Sequence, residues 1–363
     1  MYPVPMIEMQ YNFPLLPGQP GEWRDRLRRA VDELGDRDFD AMRPTFRQEH
    51  PELKRVCAAW LHVPEERLVL TNGAHHASLI AMMAAGLTGR GIAVDAAAYT
   101  GAMEQARALG CPVVGCAVDA EGMTAASLRA ACVRGLASGV PLGAIFCTVT
   151  VHNPLGCTAP LTRRRQIAEI AEEFDLLILE DDTYGFMEPD PPPRLYDLAP
   201  ERTFLISSMS KSYAPAARMG FLVAPERFEA PVFAAVKNTA TGSSLPHHVA
   251  CCSLIADGSV DRVIARKNKE GMYRNQEARE VLADACWPGA RSAWHLWVNL
   301  PERVTAQSFE AQMKERGVLI SGGNWFAACG DAPNGFRLAL GGEVDAAATQ
   351  RGVELVAEEM RKL

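Results

Sequence analysis

The chain has 363 residues, of which 48% are hydrophobic and 22% are charged, and its formal net charge is −7. This length allows two packed domains, and the composition is ordinary for a globular protein. The acidic balance argues against a surface that binds nucleic acid through its phosphates. The densest basic run, residues 163–165, begins an amphipathic pattern, and we expect it to form a solvated helix face.

Ten cysteines are scattered along the chain without metal-ligand spacing, and Cys251 and Cys252 are adjacent. Free thiols in a reducing compartment explain this pattern more simply than disulfides or a metal site. The first residues lack the basic and apolar regions of a signal peptide, and no apolar stretch is long enough to span a bilayer. We therefore expect a cytoplasmic protein with no bound metal and no membrane partner.

Residues 1–20 are rich in proline and lack periodicity, which predicts an extended arm, and residues 22–34 have helical spacing. From about residue 66, short apolar runs alternate with helical patterns, which favours a mostly parallel sheet between helices. Ligands of such folds bind beyond the carboxyl ends of the strands. The predicted strands are Arg67–Leu70, Gly91–Val94, Pro112–Val118, Gly143–Val149, Asp175–Leu179, Thr203–Ile206 and Gly220–Val223.

After about residue 260 the pattern changes to a smaller α+β arrangement. It consists of a helix over residues 260–282, a strand over 292–300, a helix near 305–316, strands at 318–320 and 335–340, and a last helix from about residue 343. The sequence thus predicts an α/β protein with a large and a small domain. The predicted divisions are 1–45 for an arm and helix that contribute to the small domain, 46–260 for the large domain and 261–363 for the small domain.

Lys211 follows an apolar run that ends in small hydroxyl residues, among them Ser208 and Ser210, and Arg218 lies in the next turn. A lysine at the mouth of a buried strand is costly unless it has a use. A desolvated lysine can lose its proton and attack a carbonyl, while the hydroxyls and the arginine can hold a phosphate. A reactive lysine beside a phosphate site is what a pyridoxal phosphate enzyme needs.

A second motif spans residues 68–79, where a predicted strand gives way to a turn at Gly73 and then to a helix. Free N–H groups at a helix N-terminus bind phosphate well, and a glycine allows close approach of the backbone. A capped turn without a ligand is the alternative. His75 and His76 are possible metal ligands, but no third ligand lies nearby, so we expect no metal.

Two further motifs follow predicted strands. Asn153 begins a tight turn, where it is either an ordinary turn residue or a donor to a ring hydroxyl. The run 180–182 holds three consecutive carboxylates, which raise each other's pKa unless a cation lies among them. A protonated pyridine nitrogen and Mg²⁺ are both candidates, and the Lys211 segment favours the pyridine. Tyr184 is close enough to Asp181 to reach the phenolic oxygen of the same ring.

Arg337 lies inside a strand pattern at residues 334–341. Burying an arginine without an anion is costly, so a bidentate clamp on a substrate carboxylate explains its position. An ordinary edge-strand arginine is the alternative.

In this order the segments resemble fold type I pyridoxal-phosphate aminotransferases of class I/II, and above all the aminotransferase-like domain of MocR/GntR-type bacterial regulators. The resemblance covers nearly the whole chain from about residue 14. It implies a homodimer with pyridoxal 5′-phosphate as cofactor, which transfers an amino group from an α-amino acid to a 2-oxo acid by a ping-pong mechanism. No winged-helix pattern occurs, so we expect no nucleic-acid partner.

The resemblance also implies the catalytic residues. Lys211 corresponds to the lysine that bonds to the cofactor and later moves the substrate proton. Asp181 corresponds to the aspartate that keeps the pyridine nitrogen protonated. Tyr184, together with Asn153, corresponds to the pair that hydrogen-bonds the ring hydroxyl.

The remaining implied roles concern binding. Tyr99 corresponds to an aromatic residue stacked on the cofactor ring, and Arg337, with Asn153, corresponds to the residues that bind the substrate carboxylate. The implied phosphate-binding residues are Gly73, Ala74, His75, Ser208, Ser210 and Arg218.

Two departures from the family pattern leave the reaction type open. His75 stands where the look-alikes usually have glutamine, and residues 44–54 lack a tyrosine motif that reaches the neighbouring subunit's phosphate. The same catalytic residues also start the reactions of lyases, cyclases and amino-acid oxidases or hydroxylases. A non-enzymatic effector-binding module is a further alternative, and the substrate side chain is not predicted.

Overall fold

The computed structural model describes residues 6–34, 51–240, 244–330 and 332–363. The strands in these ranges are β1 (Ile7–Glu8), β2 (Leu68–Thr71), β3 (Gly91–Asp95), β4 (Val113–Cys116), β5 (Val118–Asp119), β6 (Gly122–Met123), β7 (Leu142–Cys147), β8 (Leu177–Asp181), β9 (Thr203–Ser208), β10 (Gly220–Val223), β11 (His295–Asn299), β12 (Val318–Leu319), β13 (Ser321–Gly322) and β14 (Gly335–Ala339). The helices are α1 (Gln19–Leu34), α2 (Pro51–Leu61), α3 (Ala74–Ala84), α4 (Thr100–Ala108), α5 (Ala125–Ser138), α6 (Leu161–Glu173), α7 (Leu195–Leu198), α8 (Met209–Ser212), α9 (Glu229–Thr239), α10 (Leu245–Ala256), α11 (Ser259–Leu282), α12 (Ala306–Glu315) and α13 (Ala346–Met360).

A seven-stranded sheet in the order β2-β10-β9-β8-β7-β3-β4 forms the centre of the protein. β4, β3, β7, β8 and β9 run parallel, and β10 is antiparallel to both of its neighbours. The predicted mostly parallel sheet of seven strands is therefore confirmed, and each predicted strand overlaps an observed one.

Burial on both faces explains why these strands are nearly continuous apolar runs. Successive side chains of a strand point to opposite faces, and β8 shows this clearly. Ile178 packs in a core cluster with Ile170 of α6, whereas the next residue, Leu179, packs with Ile80 of α3. Two helical layers thus cover the sheet, and its polar residues are left at the strand ends.

The C-terminal part contains a three-stranded antiparallel sheet in the order β11-β14-β13. The N-terminal arm joins this part, because β1 pairs in parallel with β12 and Met9 is buried in the hydrophobic core of the C-terminal part. The aromatic rings of Phe309 and Phe336 stack in this core with their centroids 5.0 Å apart. None of the helices in the described ranges has both the length and the apolar character needed to cross a membrane.

The expectation of a solvated basic face is wrong for Arg164. Its side chain, near the start of α6, is fully buried. The guanidinium donates to the carbonyl oxygens of Val149, Ala159, Pro192 and Pro193, and to the hydroxyl of Thr150. Four of these acceptors are main-chain oxygens in loops, which a buried fork of five N–H donors satisfies together. Arg164 therefore ties together the loops on either side of α6.

Candidate active site

A cavity of about 490 Å³ lies at the carboxyl edge of the central sheet, within the size range of small-molecule sites. The structure brings nearly all of the predicted site residues together there. Those that line the cavity are Ala74, His75, Tyr99, Asn153, Asp181, Tyr184, Ser208, Ser210, Lys211, Arg218 and Arg337. Gly73, the remaining predicted residue, directly precedes α3 at the same corner.

Lys211 enters the cavity from α8, directly after β9. Its Nζ donates a hydrogen bond to the main-chain oxygen of Asn12 at 2.5 Å and lies 4.1 Å from the ring centroid of Phe13. Burial, and secondarily the charge of Arg337, lowers the pKa of Lys211 to about 7, against the opposing effect of Asp181. A large fraction of the amine is thus unprotonated at neutral pH, as a nucleophile requires.

The three consecutive carboxylates have three different surroundings. Glu180 accepts hydrogen bonds from the main-chain nitrogens of Leu195 and Tyr196, at 2.9 and 2.8 Å, and so caps α7. Asp182 does not line the cavity; burial, and next the Glu180 charge, raises its pKa to about 8. Only Asp181 lines the cavity. Within the part of the chain that the structure describes, no group of three histidine, cysteine, aspartate or glutamate side chains is arranged to hold a metal ion.

Asp181 accepts a hydrogen bond from the main-chain nitrogen of Thr183 at 3.1 Å. Burial raises the pKa of Asp181, while the hydrogen bonds from Thr183 and the nearby Lys211 lower it. A buried carboxylate of this kind is stabilised by a cation placed beside it. A protonated ring nitrogen in the cavity would be such a cation.

The corner around Gly73 is suited to an anion. Gly73 has a φ of 87° and precedes α3, whose first N–H groups have no partner within the helix. A Cβ atom on Gly73 would lie 3.1 Å from Nη2 of Arg218, and that nitrogen donates to the main-chain oxygen of Asn72 at 2.6 Å. Ser208 and Ser210 lie at the same end of β9, where Oγ of Ser208 accepts from the nitrogen of Ser210 at 3.3 Å. Helix N–H groups, hydroxyls and a guanidinium are thus placed together.

Arg337 lies on β14, the middle strand of its sheet, and is only 8% exposed, so the edge-strand alternative is wrong. Its Nη1 donates to Oδ1 of Asn153 at 2.8 Å, and its Nη2 donates to the main-chain oxygen of Gln10 at 2.7 Å. Its Nε has no hydrogen-bond partner among the described residues. The guanidinium of Arg337 is thus held at the cavity wall by two hydrogen bonds and retains one donor without a partner.

The remaining predicted side chains differ in burial. Tyr184 is buried, and burial raises its pKa to about 12, so its hydroxyl remains a donor at neutral pH. Tyr99 is half-buried and meets His75 edge to face, with ring centroids 6.4 Å apart. Burial and the Arg218 charge lower the pKa of His75, which faces the cavity. His76 turns away, with its Nε2 at 2.8 Å from Oγ1 of Thr239.

The arm supplies a wall that sequence reasoning missed, formed by residues 10–13. Asn12 contacts Lys211 through its main-chain oxygen, and its Nδ2 lies 3.1 Å from Nδ1 of His295. Burial lowers the pKa of His295 to about 3, so this ring is neutral. Its Nε2 lies 2.9 Å from the oxygen of His152, which can only accept, so Nδ1 accepts from Asn12. The arm lacks any periodicity that could have indicated this role.

The second missed group follows β13, where the sequence Gly322-Gly-Asn-Trp-Phe326 places Trp325 and Phe326 at the cavity. A glycine pair before two aromatic residues is the only sequence signal for it. Of the altered stretch at residues 44–54, residues 44–50 lie outside the described residues.

Comparison with known proteins shows which family this fold and site belong to. The family described as aminotransferase class I and II matches residues 9–356. The chain therefore belongs to the aminotransferase class I and II family, and the resemblance noted from its sequence is confirmed.

Relatives include the uncharacterised HTH-type transcriptional regulator YjiR of Escherichia coli K12, 28% identical over 76% of this chain and 59% of the regulator. The chain spans 59% and 61% of the lengths of the first two curated relatives that it matches. An archaeal alanine:glyoxylate aminotransferase superposes with a TM-score of 0.87 over 99% of this chain and 92% of that one, at 23% identity. A kynurenine aminotransferase of Pyrococcus horikoshii, solved with PMP, also gives a TM-score of 0.87, at 20% identity over 99% and 92% of the two chains. The fold is that of the fold type I aminotransferases.

Pyridoxal 5′-phosphate is the cofactor of this family, and the residues present fit it. The corner at Gly73 suits a phosphate, the amine of Lys211 suits an aldehyde, and Asp181 suits a protonated ring nitrogen. The guanidinium of Arg337 lines the same cavity and suits one further anion.

Proposed function

We propose that this protein is a pyridoxal-phosphate-dependent aminotransferase that transfers an amino group from an α-amino acid to a 2-oxo acid. One observation carries the proposal. The amine of Lys211, with its pKa lowered to about 7, shares a single cavity with the carboxylate of Asp181 and the guanidinium of Arg337. An amine, a carboxylate and an anion-binding guanidinium are the groups that this chemistry requires.

When bound, pyridoxal phosphate supplies an aldehyde for the amino group and a ring that takes up electrons from the substrate Cα. In the proposal, Lys211 would hold the cofactor and would later move a proton between the substrate Cα and the cofactor carbon, which its lowered pKa permits. Asp181 holds the proton on the ring nitrogen, because its buried carboxylate gains an opposite charge. Tyr184 and Asn153 hold the ring hydroxyl.

Binding falls to the other predicted residues. The phosphate is proposed to be held by Gly73, Ala74, His75, Ser208, Ser210 and Arg218. Tyr99 stacks on the ring, and Arg337, oriented by Asn153, binds the substrate carboxylate. The hydrogen bond of 2.8 Å from Arg337 to Asn153 supports this, since it links the carboxylate site to the ring hydroxyl site.

The proposal is tested by mixing an amino acid that carries isotopically labelled nitrogen with a panel of 2-oxo acids. Mass spectrometry should find the label in the amino acid formed from the 2-oxo acid, and Lys211→Ala should abolish the transfer. Release of the label as free ammonia, oxygen consumption, or elimination products without an acceptor would instead indicate an oxidase, lyase or cyclase. The same assay thus separates the proposed reaction from its alternatives.

We also propose that the protein acts in the cytoplasm as a homodimer without a nucleic-acid partner, with domains divided near residues 45 and 260. All ten cysteines are free thiols, which supports a reducing compartment. The homodimer rests on the family resemblance. Light scattering of the purified protein gives the mass in solution, and a monomer at working concentration would contradict it.

A further inference from the structure

The cavity contains few acidic or basic side chains, and the proposed function assigns a role to each of them. Among the described residues that line it, Lys211, Arg218 and Arg337 are the cationic chains and Asp181 is the anionic one. In the proposed function these four side chains bind, in that order, the cofactor aldehyde, the cofactor phosphate, the substrate carboxylate and the cofactor ring nitrogen. His75, which is assigned to the phosphate, has a pKa lowered by burial and by Arg218, which favours its neutral form. Among these lining residues, no permanent charge is left for a substrate side chain.

Aromatic rings flank both ends of the place that the substrate backbone would occupy. Phe13 lies 4.1 Å from Nζ of Lys211, measured to the ring centroid. Phe326 lies 4.9 Å from Cζ of Arg337. The groups proposed to bind the substrate nitrogen and the substrate carboxylate thus each lie beside an aromatic ring.

The wall continues outward through Tyr11 and Trp325. Tyr11 stacks on Phe13 with centroids 6.0 Å apart and an interplanar angle of 17°. Trp325 is 52% exposed, yet its ring is held in place. Its Nε1 lies 3.1 Å from each carboxylate oxygen of Glu310, and its main-chain oxygen accepts from the hydroxyl of Thr100 at 2.5 Å. An exposed but fixed indole at the mouth of a cavity presents apolar area at little entropic cost.

We infer that Tyr11, Phe13 and Trp325 form the side-chain pocket of this site, and that it selects α-amino acids with aromatic or large apolar side chains over acidic and basic ones. The inference rests on the proposed function. A charged side chain in this pocket would lose water without gaining an opposite charge, whereas an apolar one would bury surface against the rings.

The test compares kcat/KM for phenylalanine, tyrosine, leucine and methionine with kcat/KM for aspartate, glutamate and lysine, using one 2-oxo acid at saturation. The apolar group should exceed the charged group by about 100-fold or more. In Trp325→Ala, the ratio of kcat/KM for phenylalanine to that for alanine should fall by about 10-fold, the effect of lost apolar contact area. Tyr273→Ala, which removes an aromatic ring of similar exposure (53%) outside this cavity, should leave that ratio unchanged.

Equal cofactor absorbance in Trp325→Ala and the wild type shows that the variant is folded, and Trp325→Phe should restore most of the ratio. A preference for acidic or basic amino acids would overturn the inference and leave the proposed function standing. No change of the ratio in Trp325→Ala would also overturn it. Failure of every amino acid to transfer its nitrogen would contradict the proposed function itself, and the inference with it.

Discussion

Arg337 and Asn153 are 184 positions apart in the sequence, yet Nη1 of the arginine donates to Oδ1 of the asparagine at 2.8 Å. The arginine comes from the middle strand of the C-terminal sheet, and the asparagine comes from the turn after β7. This contact connects the two parts of the chain at the cavity. Nε of Arg337 has no hydrogen-bond partner among the described residues.

The first prediction concerns the guanidinium of Arg337. Arg337→Met should raise KM for the amino acid by about 10- to 150-fold, because a charge-assisted hydrogen bond contributes about 1.5 to 3 kcal/mol. Arg337→Lys should give an intermediate value, since lysine keeps the charge but not the planar fork. Steady-state kinetics measure both variants, and an unchanged KM in Arg337→Met would exclude a role in carboxylate binding.

The second prediction separates two adjacent carboxylates. Asp181→Asn should lower kcat by about 100- to 10,000-fold, because an amide cannot balance the charge of a protonated ring nitrogen. Asp182→Asn is the matched control. Burial raises the pKa of Asp182 to about 8, so its side chain is mostly uncharged at pH 7 and an amide resembles it. Equal losses of kcat in the two variants would contradict the assignment.

The third prediction concerns the buried Arg164. Arg164→Met should lower the free energy of unfolding by about 3 kcal/mol or more, because several buried carbonyl groups lose their donor together. Arg165→Met changes an exposed neighbour on the same helix and should stay within about 0.5 kcal/mol of the wild type. Urea unfolding of both variants gives these values. If Arg164→Met lowers the free energy of unfolding no more than Arg165→Met does, the hydrogen bonds of Arg164 do not stabilise the fold.

Lys267 gives a pH-dependent prediction. It is fully buried on α11, and its Nζ donates to the main-chain oxygens of Lys211 and Tyr213 at 2.8 and 2.6 Å. Burial, and secondarily the Lys211 charge, lowers the pKa of Lys267 to about 7. An unfolded lysine keeps its proton up to about pH 10.4, so between these values the unfolded chain binds more protons and stability rises with pH.

Lys267→Met removes this contribution. The free energy of unfolding of the wild type relative to this variant should therefore increase as pH rises from 7 to about 9. Lys269→Met, which changes an exposed lysine two positions away, should keep the pH slope of the wild type. Urea unfolding at several pH values measures both slopes. Parallel curves for wild type and Lys267→Met would contradict the lowered pKa.

The strands and the motifs at their ends were predictable because their physical causes are local. β7, β8 and β9 are buried on both faces, so their sequences are largely apolar, and most of the polar residues of β8 and β9 stand at the carboxyl ends of those strands. Lys211 and Asp181 stand at such ends, where a parallel sheet gathers them at one edge. Their convergence therefore followed from the fold class.

Contacts that depend on distant chain segments were not predictable. Asn12 lies in an arm without periodicity, and its position beside Lys211 depends on the pairing of β1 with β12. Arg164 has a surface-like pattern, and only the neighbouring loops provide its acceptors. Glu180 and Asp181 are adjacent, but alternation along β8 sends one to α7 and the other to the cavity. The predicted domain limit at residue 45 lies outside the described residues.

The most direct test of the account is the absorbance spectrum of the purified protein with pyridoxal phosphate, titrated first with an amino acid and then with a 2-oxo acid. We expect a band of lysine-bound cofactor that is missing in Lys211→Ala. The amino acid should convert this band to that of the aminated cofactor, and the 2-oxo acid should restore it. A protein that shows no cofactor band, or a band that the amino acid changes and no 2-oxo acid restores, would contradict the account.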